Sequence, residues 1–313
     1  MPISTGVIGG AGFLGAEITR LLVESGREVK VLGRRPESAR QLPSAARYQS
    51  GDYGNRADLL RILDGVDEVI HLAYATVPQT SAEDPIFDIV SNLPASVQLL
   101  HEAAALGIGK LLIVSSGGTV YGRAGAEPIH EDHPTNPISP YGITKLTIEK
   151  YAGMVHSTSG LHVVVVRPAN VYGNTQQSHG GQGFIPAAIK AVLDREQVPV
   201  FGVRGTVRDY IHVSDVARGV LAALEFGVAG GTYNIGTGTG RDNLDVLREL
   251  EPLAADAGFP VVPRILPERA FDVPYNVLDS SRLREASGWR AGIEFAPGVA
   301  GVFAAALHAH KRP

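Results

Sequence analysis

Five short runs of mostly β-branched and leucine residues, at 6–8, 29–32, 69–72, 111–114 and 163–166, alternate with longer stretches of helical period. A run without polar alternation reads as a strand covered on both faces, and strands alternating with helices build a parallel sheet. Leu14, Ile18, Leu21 and Leu22 fall on one face of a predicted helix over 13–25. The segments 58–63, 85–106 and 141–157 behave similarly, and Gly26, Gly107 and Gly160 stand where C-cap glycines are expected. The fold class is therefore α/β. After Val171 the texture changes: 174–183 is polar and glycine-rich, and later elements are shorter and punctuated by proline. We expect a larger domain from residues 1–173, with 207–236 returning to it, and a smaller one from 174–206 and 237–313.

The first predicted strand runs into Gly9-Gly10-Ala11-Gly12-Phe13-Leu14-Gly15 and then a helix. Gly10, Gly12 and Gly15 fit G-x-G-x-x-G, while Gly9, Gly12 and Gly15 fit the related G-x-x-G-x-x-G. Without side chains the backbone can approach a pyrophosphate, which the unpaired N–H groups of the helix start then hold. A turn that merely packs is the plainer alternative; the flanking strand and helix favour a dinucleotide. The end of the second strand chooses between NAD and NADP. A carboxylate there would bond the ribose 2′-hydroxyl, but Gly33-Arg34-Arg35-Pro36 contains none. Arg34 and Arg35 favour a 2′-phosphate through forked hydrogen bonds, unless they are solvated or Arg34 stacks on adenine. Asp52, before Tyr53, is a candidate partner for the adenine amino group or simply a turn former.

Tyr141 and Lys145 lie four apart on a predicted helix and so share a face. A nearby ammonium would stabilise tyrosinate and lower the phenol's pKa, suiting it to proton transfer at neutral pH. Tyr-x-x-x-Lys is common by chance. It gains meaning here because Ser115-Ser116-Gly117-Gly118-Thr119 ends a strand upstream, at the carboxyl edge where such sheets bind ligands.

Together with 167–173 (Arg-Pro-Ala-Asn-Val-Tyr-Gly) and 207–213 (Val-Arg-Asp-Tyr-Ile-His-Val), these ordered motifs resemble the extended short-chain dehydrogenases. More narrowly, the chain is similar to the UDP-glucose 4-epimerase branch of the nucleotide-sugar epimerases and dehydratases, from about Gly6 to Trp289. The resemblance implies a Rossmann-type doubly wound parallel sheet with a smaller, partly discontinuous C-terminal substrate domain. It makes Tyr141 the base for the sugar C4 hydroxyl, Lys145 the residue that tunes it, and Asn92 a support of the active-site helix. Tyr53, Leu72, Ala73, Asn92, Lys145 and Pro168 join the glycine turn as cofactor contacts. Asn170 and Arg208 would hold the substrate diphosphate, Arg269 and Asp272 the diphosphate and its ribose. Phe184 and Ile185 fall where backbone and apolar groups pack the uracil. Each has a duller alternative: Asn170 as a turn residue, Arg269 as a surface ion-pair partner, Phe184 as ordinary core.

Three departures from the family stand out. Many relatives carry the catalytic hydroxyl four residues before the tyrosine of Val-Tyr-Gly, where this chain has Gly117; Ser116 and Thr119 are the candidate donors. The acid after the second strand is missing. Tyr74 occupies a position usually held by a small residue, near the nicotinamide.

Three functions compete. A C4 epimerase oxidises the sugar, lets the 4-keto intermediate turn about its diphosphate and reduces the other face, with no net redox. An NADPH-dependent reductase of a nucleotide-linked 4-keto-6-deoxy sugar accounts better for Arg34 and Arg35. A dinucleotide sensor would need no Tyr141–Lys145 pair. A 4,6-dehydratase is disfavoured, because its Asp-Glu pair is replaced by Gly118 and Thr119.

Composition narrows the remainder. The 313 residues suffice for one large or two unequal domains, and the formal net charge of −4 offers no domain-wide basic surface for nucleic acid. Zero cysteines excludes disulfides and thiolate metal sites, and no metal is expected. No run approaches about 18 apolar residues, and the opening lacks a signal-peptide pattern, so the expectation is a cytoplasmic protein without membrane association. By family resemblance 85–106 and 141–157 would pair with a second copy, as a homodimer.

Overall fold

The computed structural model describes residues 2–38, 40–125, 128–174, 183–269 and 273–311. Its centre is a seven-stranded sheet. The strands are β1 (Ser4–Ile8), β2 (Glu28–Gly33), β3 (Arg47–Ser50), β4 (Glu68–His71), β5 (Lys110–Val114), β6 (Val163–Pro168) and β10 (Thr232–Ile235), in the order β10-β6-β5-β4-β1-β2-β3. Every pairing in it is parallel. The five expected strands are present. β3, with the sequence Arg-Tyr-Gln-Ser, lacks an apolar run because it forms the edge and has a neighbour on one side only.

Alternation along each strand sorts the core into two layers. Val7, Val31 and Leu112 face one side, where they meet Ile18 and Leu22 of α1 (Phe13–Glu24) and Val216 and Val220 of α7 (Val213–Phe226). Ile8, Leu32 and Leu111 face the other. There they pack on α2 (Arg56–Leu63), α4 (Pro85–Ala105) and α5 (Pro140–Ser159), through Ile62, Leu99 and Ile148. Each such fully buried side chain contributes roughly 1.5–3 kcal/mol relative to exposure. The short helix α3 (Pro78–Glu83) packs beside α5.

The smaller C-terminal part is discontinuous. β7 (Asn170–Tyr172), β9 (Val207–His212), β11 (Gly240–Arg241) and β13 (Tyr275–Asn276) form one sheet around β9, while β8 (Val198–Phe201) pairs with β12 (Pro263–Leu266). Helices α6 (Phe184–Leu193), α8 (Asn243–Asp256) and α10 (Phe295–His310) close its own core; α9 (Ser281–Ser287) packs on α7. Within 207–236, α7 packs on the larger sheet and β10 pairs with β6, while β9 pairs with β7, β11 and β13. Among the described residues no helix is long and apolar enough to cross a membrane.

Candidate active site

β1 and β4 are neighbours, but the chain continues from them to opposite halves of the sheet, which leaves a crevice above their carboxyl ends. Gly9 turns the chain there with φ +90°, which side-chain-bearing residues rarely adopt. Gly15 permits the close approach of helix and turn: a Cβ on it would lie 2.2 Å from the Gly9 carbonyl oxygen. Gly12 caps α1 without a side chain, so the amides of Phe13, Leu14 and Gly15 open the helix with no acceptor inside it.

A cleft of about 790 Å³ lies in front of this turn. Gly9, Gly12 and Phe13 form one wall, Arg34, Arg35, Asp52 and Tyr53 another, and Leu72 and Ala73 the floor. Leu14 instead packs against the core, and Gly15 is buried behind the turn. The Asp52 carboxylate accepts the Gly54 N–H at 2.9 Å, a turn bond, and is exposed at the cleft. The Tyr53 hydroxyl is buried without a hydrogen-bond partner among the described residues. Arg40 lines the same cleft, its guanidinium 5.9 Å from the Phe13 ring, and burial holds its pKa below the usual arginine range. Sequence reading missed it, since it lies outside every motif and only the path of the loop after β2 brings it in. A Cβ on Gly33, which closes β2, would lie 2.7 Å from the Tyr48 hydroxyl, so a side chain there would have to displace the Tyr48 ring.

Asn92 and Pro168 do not line the cleft. Asn92 is buried in α4; its Oδ1 accepts the Ala75 N–H at 2.7 Å and its Nδ2 donates to the Asp88 carbonyl. It thereby fixes the loop that carries Leu72 and Ala73. The Pro168 carbonyl accepts the Gly117 N–H at 2.9 Å, tying the ends of β5 and β6 together.

Helix α5 starts at the Ser139 cap, whose hydroxyl accepts the Gly142 N–H, and places Tyr141 and Lys145 one turn apart. Lys145 is buried. Its Nζ donates to the Val114 carbonyl at 3.0 Å, lies 4.0 Å from the Tyr74 ring centroid and 5.7 Å from that of Tyr141. Tyr74 and Tyr141 meet edge to face, centroids 4.9 Å apart. Burial lowers the Lys145 pKa to about 7, a fall tempered by Glu149 and Asp88. Burial also raises the Tyr141 pKa, and the charge of Asp88 adds to the rise. This corrects the sequence expectation of a depressed phenol. The ammonium is engaged by Val114 and the Tyr74 face, and dehydration acts on the phenol more strongly.

The hydroxyl candidates separate by orientation. Ser115 points away from the cleft and donates to Glu149, which a buried ion pair of 2.6 Å joins to Arg167. Ser116, next along, is half-buried, with its Oγ beside Gly118. Thr119 Oγ1 is buried and has no hydrogen-bond partner among the described residues. Gly117 has no space for any side chain, since its Cβ would meet Leu278 Cδ1 at 2.4 Å. Asn170 Oδ1 comes within 3.3 Å of where a Gly118 Cβ would stand, placing it at the same strand end.

In the smaller part, Arg208 is half-buried on β9 and donates to the Val207 carbonyl at 2.8 Å. Arg269 is exposed with its guanidinium 4.0 Å over the Phe201 ring. Phe184 opens α6 half-buried, whereas the Ile185 side chain belongs to the core, leaving only its backbone for a ligand. Asp272 lies outside the described residues.

Residues 6–236 match the NAD dependent epimerase/dehydratase family. The chain belongs to this family. It is an extended short-chain dehydrogenase/reductase, as its motifs imply. It is 35% identical over 302 residues to the UDP-glucose 4-epimerase of Mycolicibacterium smegmatis, covering 94% of this chain and 95% of that one. The Thermus thermophilus UDP-glucose 4-epimerase in complex with NAD superposes with a TM-score of 0.88 at 31% identity, over 97% of this chain and 98% of the other. The Thermotoga maritima UDP-glucose 4-epimerase with UDP-glucose gives 0.91 at 30%, over 98% and 99%.

Lys145 makes the stability of this family member depend on pH. From about pH 7 up to the ordinary lysine range, the unfolded chain binds a proton that folded Lys145 has released, so stability rises with pH. The raised Tyr141 pKa acts only at higher pH still. Denaturant unfolding at neutral and mildly alkaline pH should therefore show a rise in the wild type that is smaller in Lys145→Met.

Proposed function

We propose that the protein is a nucleotide-sugar 4-epimerase acting on a UDP-hexose type of substrate through a transient 4-keto sugar. At the coarser level, it is an enzyme of a family that acts on nucleotide sugars with NAD(P). The observation that carries the finer reading is the meeting of Tyr141 and Lys145 on one helix face behind Tyr74 of the glycine-turn cleft, with Gly118 and Thr119 where a dehydratase has its acid pair.

The cleft fits a dinucleotide: uncapped helix amides face it and three arginines line it. When bound, the dinucleotide supplies the acceptor and donor of the hydride. Tyr141 removes the proton from the C4 hydroxyl as the hydride leaves C4 and returns it after the sugar has turned. Lys145 holds the cofactor ribose and supports the phenolate, while Ser116 donates to the C4 oxygen, with Thr119 as the second candidate. Asn170, Arg208 and Arg269 receive the diphosphate, Asp272 the adjoining ribose, and Phe184 with the Ile185 backbone the base. Residues 1–173 with 207–236 are read as the dinucleotide domain, 174–206 and 237–313 as the nucleotide-sugar domain.

Arg34 and Arg35, joined by Arg40, and the absence of an acid at Gly33 support NADP over NAD. They also favour a second reading, reduction of a nucleotide-linked 4-keto-6-deoxy sugar by NADPH. Mass spectrometry of nucleotide released from the purified, denatured protein distinguishes the two. Stoichiometric retained dinucleotide is expected for the epimerase, which never releases it; an empty site that accepts only NADPH overturns that reading. Tyr141→Phe should lower turnover by roughly 10²–10⁴-fold and leave dinucleotide affinity nearly unchanged.

Helices α4 and α5 pack side by side and expose Ile86 and Ile89 on one and Ile143, Tyr151 and Met154 on the other. We read this face as covered by a second copy of the chain. Sedimentation should give a dimer that Ile143→Lys with Met154→Lys converts to a folded monomer; a monomeric wild type refutes it.

A further inference from the structure

Tyr74 stands between the cleft and the Tyr141–Lys145 pair. One side of it lines the cleft, its face covers the Lys145 ammonium at 4.0 Å, and its edge meets Tyr141. The backbone beneath it is pinned: Ala75 N–H donates to Asn92, and Thr76 bonds the fully buried Asp88. The ring packs against the core layer on the α4 and α5 side, presents its face to the Lys145 ammonium and meets Tyr141 edge to face. Its hydroxyl lies 3.5 Å from Asp88 Oδ2, at the limit of hydrogen-bond reach. Clearing the ammonium therefore takes rotation of the ring about its own side-chain bonds, with the pinned loop left in place.

We propose that Tyr74 is a positioning residue that occupies the approach to Lys145, and that its ring has to leave the ammonium before a ribose hydroxyl in the cleft can bond it. The inference rests on the dinucleotide reading given above. Tyr74 then acts as an internal competitor. It holds Lys145 in the rotamer that donates to Val114, and it lowers the apparent affinity of any ligand of Lys145 by the fraction of molecules in which the ring stands aside. A small side chain removes the competition. Phenylalanine keeps the ring face and preserves it.

Two measurements, made after co-purified nucleotide has been dialysed out, test this. The first is the rate at which a water-soluble acetylating reagent modifies Lys145, read by peptide mass spectrometry, with exposed Lys150 of the same helix as internal control. Tyr74→Ala should accelerate it about tenfold, the scale of losing a desolvated cation–π contact, while Tyr74→Phe should retain the wild-type rate. The second is fluorescence titration with NADH and NADPH, in which Tyr74→Ala binds several-fold more tightly and Tyr74→Phe as the wild type. Tyr74→Ser replaces the alanine variant should that fail to fold. Equal acetylation of wild type and Tyr74→Ala, or weaker dinucleotide binding by Tyr74→Ala, overturns the proposal. Should the wild type bind neither dinucleotide, the dinucleotide reading fails, and the acetylation rates still decide whether Tyr74 covers Lys145.

Discussion

Two adjacent parallel strands, β1 and β4, pass their chains in opposite directions, and no connection from either half can cover the space above them. The turn after β1 and the segment after β4 approach so closely there that a Cβ on Gly9 would lie 2.8 Å from the Ala73 nitrogen. Only a turn without side chains satisfies that contact while letting α1 begin directly in front of the crevice. The floor of the cleft, its anion-facing wall and the direction of α1 all follow from this one close approach.

A buried polar network fixes the opposite rim. Arg167 pairs with Glu149 and donates to the Tyr121 hydroxyl, which donates in turn to Asn234 of β10. The Asn234 N–H donates to Glu131. Ions out of water are costly unless every partner is present, so such a network holds its members in one arrangement. It turns Ser115 inward, while Ser116, past the end of β5, is half-buried. Glu149 lies one turn beyond Lys145, and its charge limits how far burial depresses the lysine. The same ion pair thus anchors α5 and moderates its chemistry.

Local patterns were legible wherever one stretch of chain carries the whole signal. The valine-rich strands, the glycine turn and the one-turn spacing of Tyr141 and Lys145 are of this kind. β3 was not, because an edge strand needs no apolar run, and Arg40 was not, because a loop delivers it from outside every motif. The direction of the Tyr141 pKa also differed. Spacing places an ammonium near a phenol, but it carries no information about the water that both lose.

The sequence by itself determined five strands of the central sheet with helices between them, the glycine turn, the phenol and amine on one helix face, and the family, because each depends on periodicity or on residues a few positions apart. Only the tertiary structure decided that Tyr74 rather than open cleft faces Lys145, that Ser115 is turned into the Glu149 network, and that a third arginine reaches the cleft wall. Those outcomes depend on how separate loops and strand ends meet in space, where packing volume and dehydration act between residues that the chain keeps far apart.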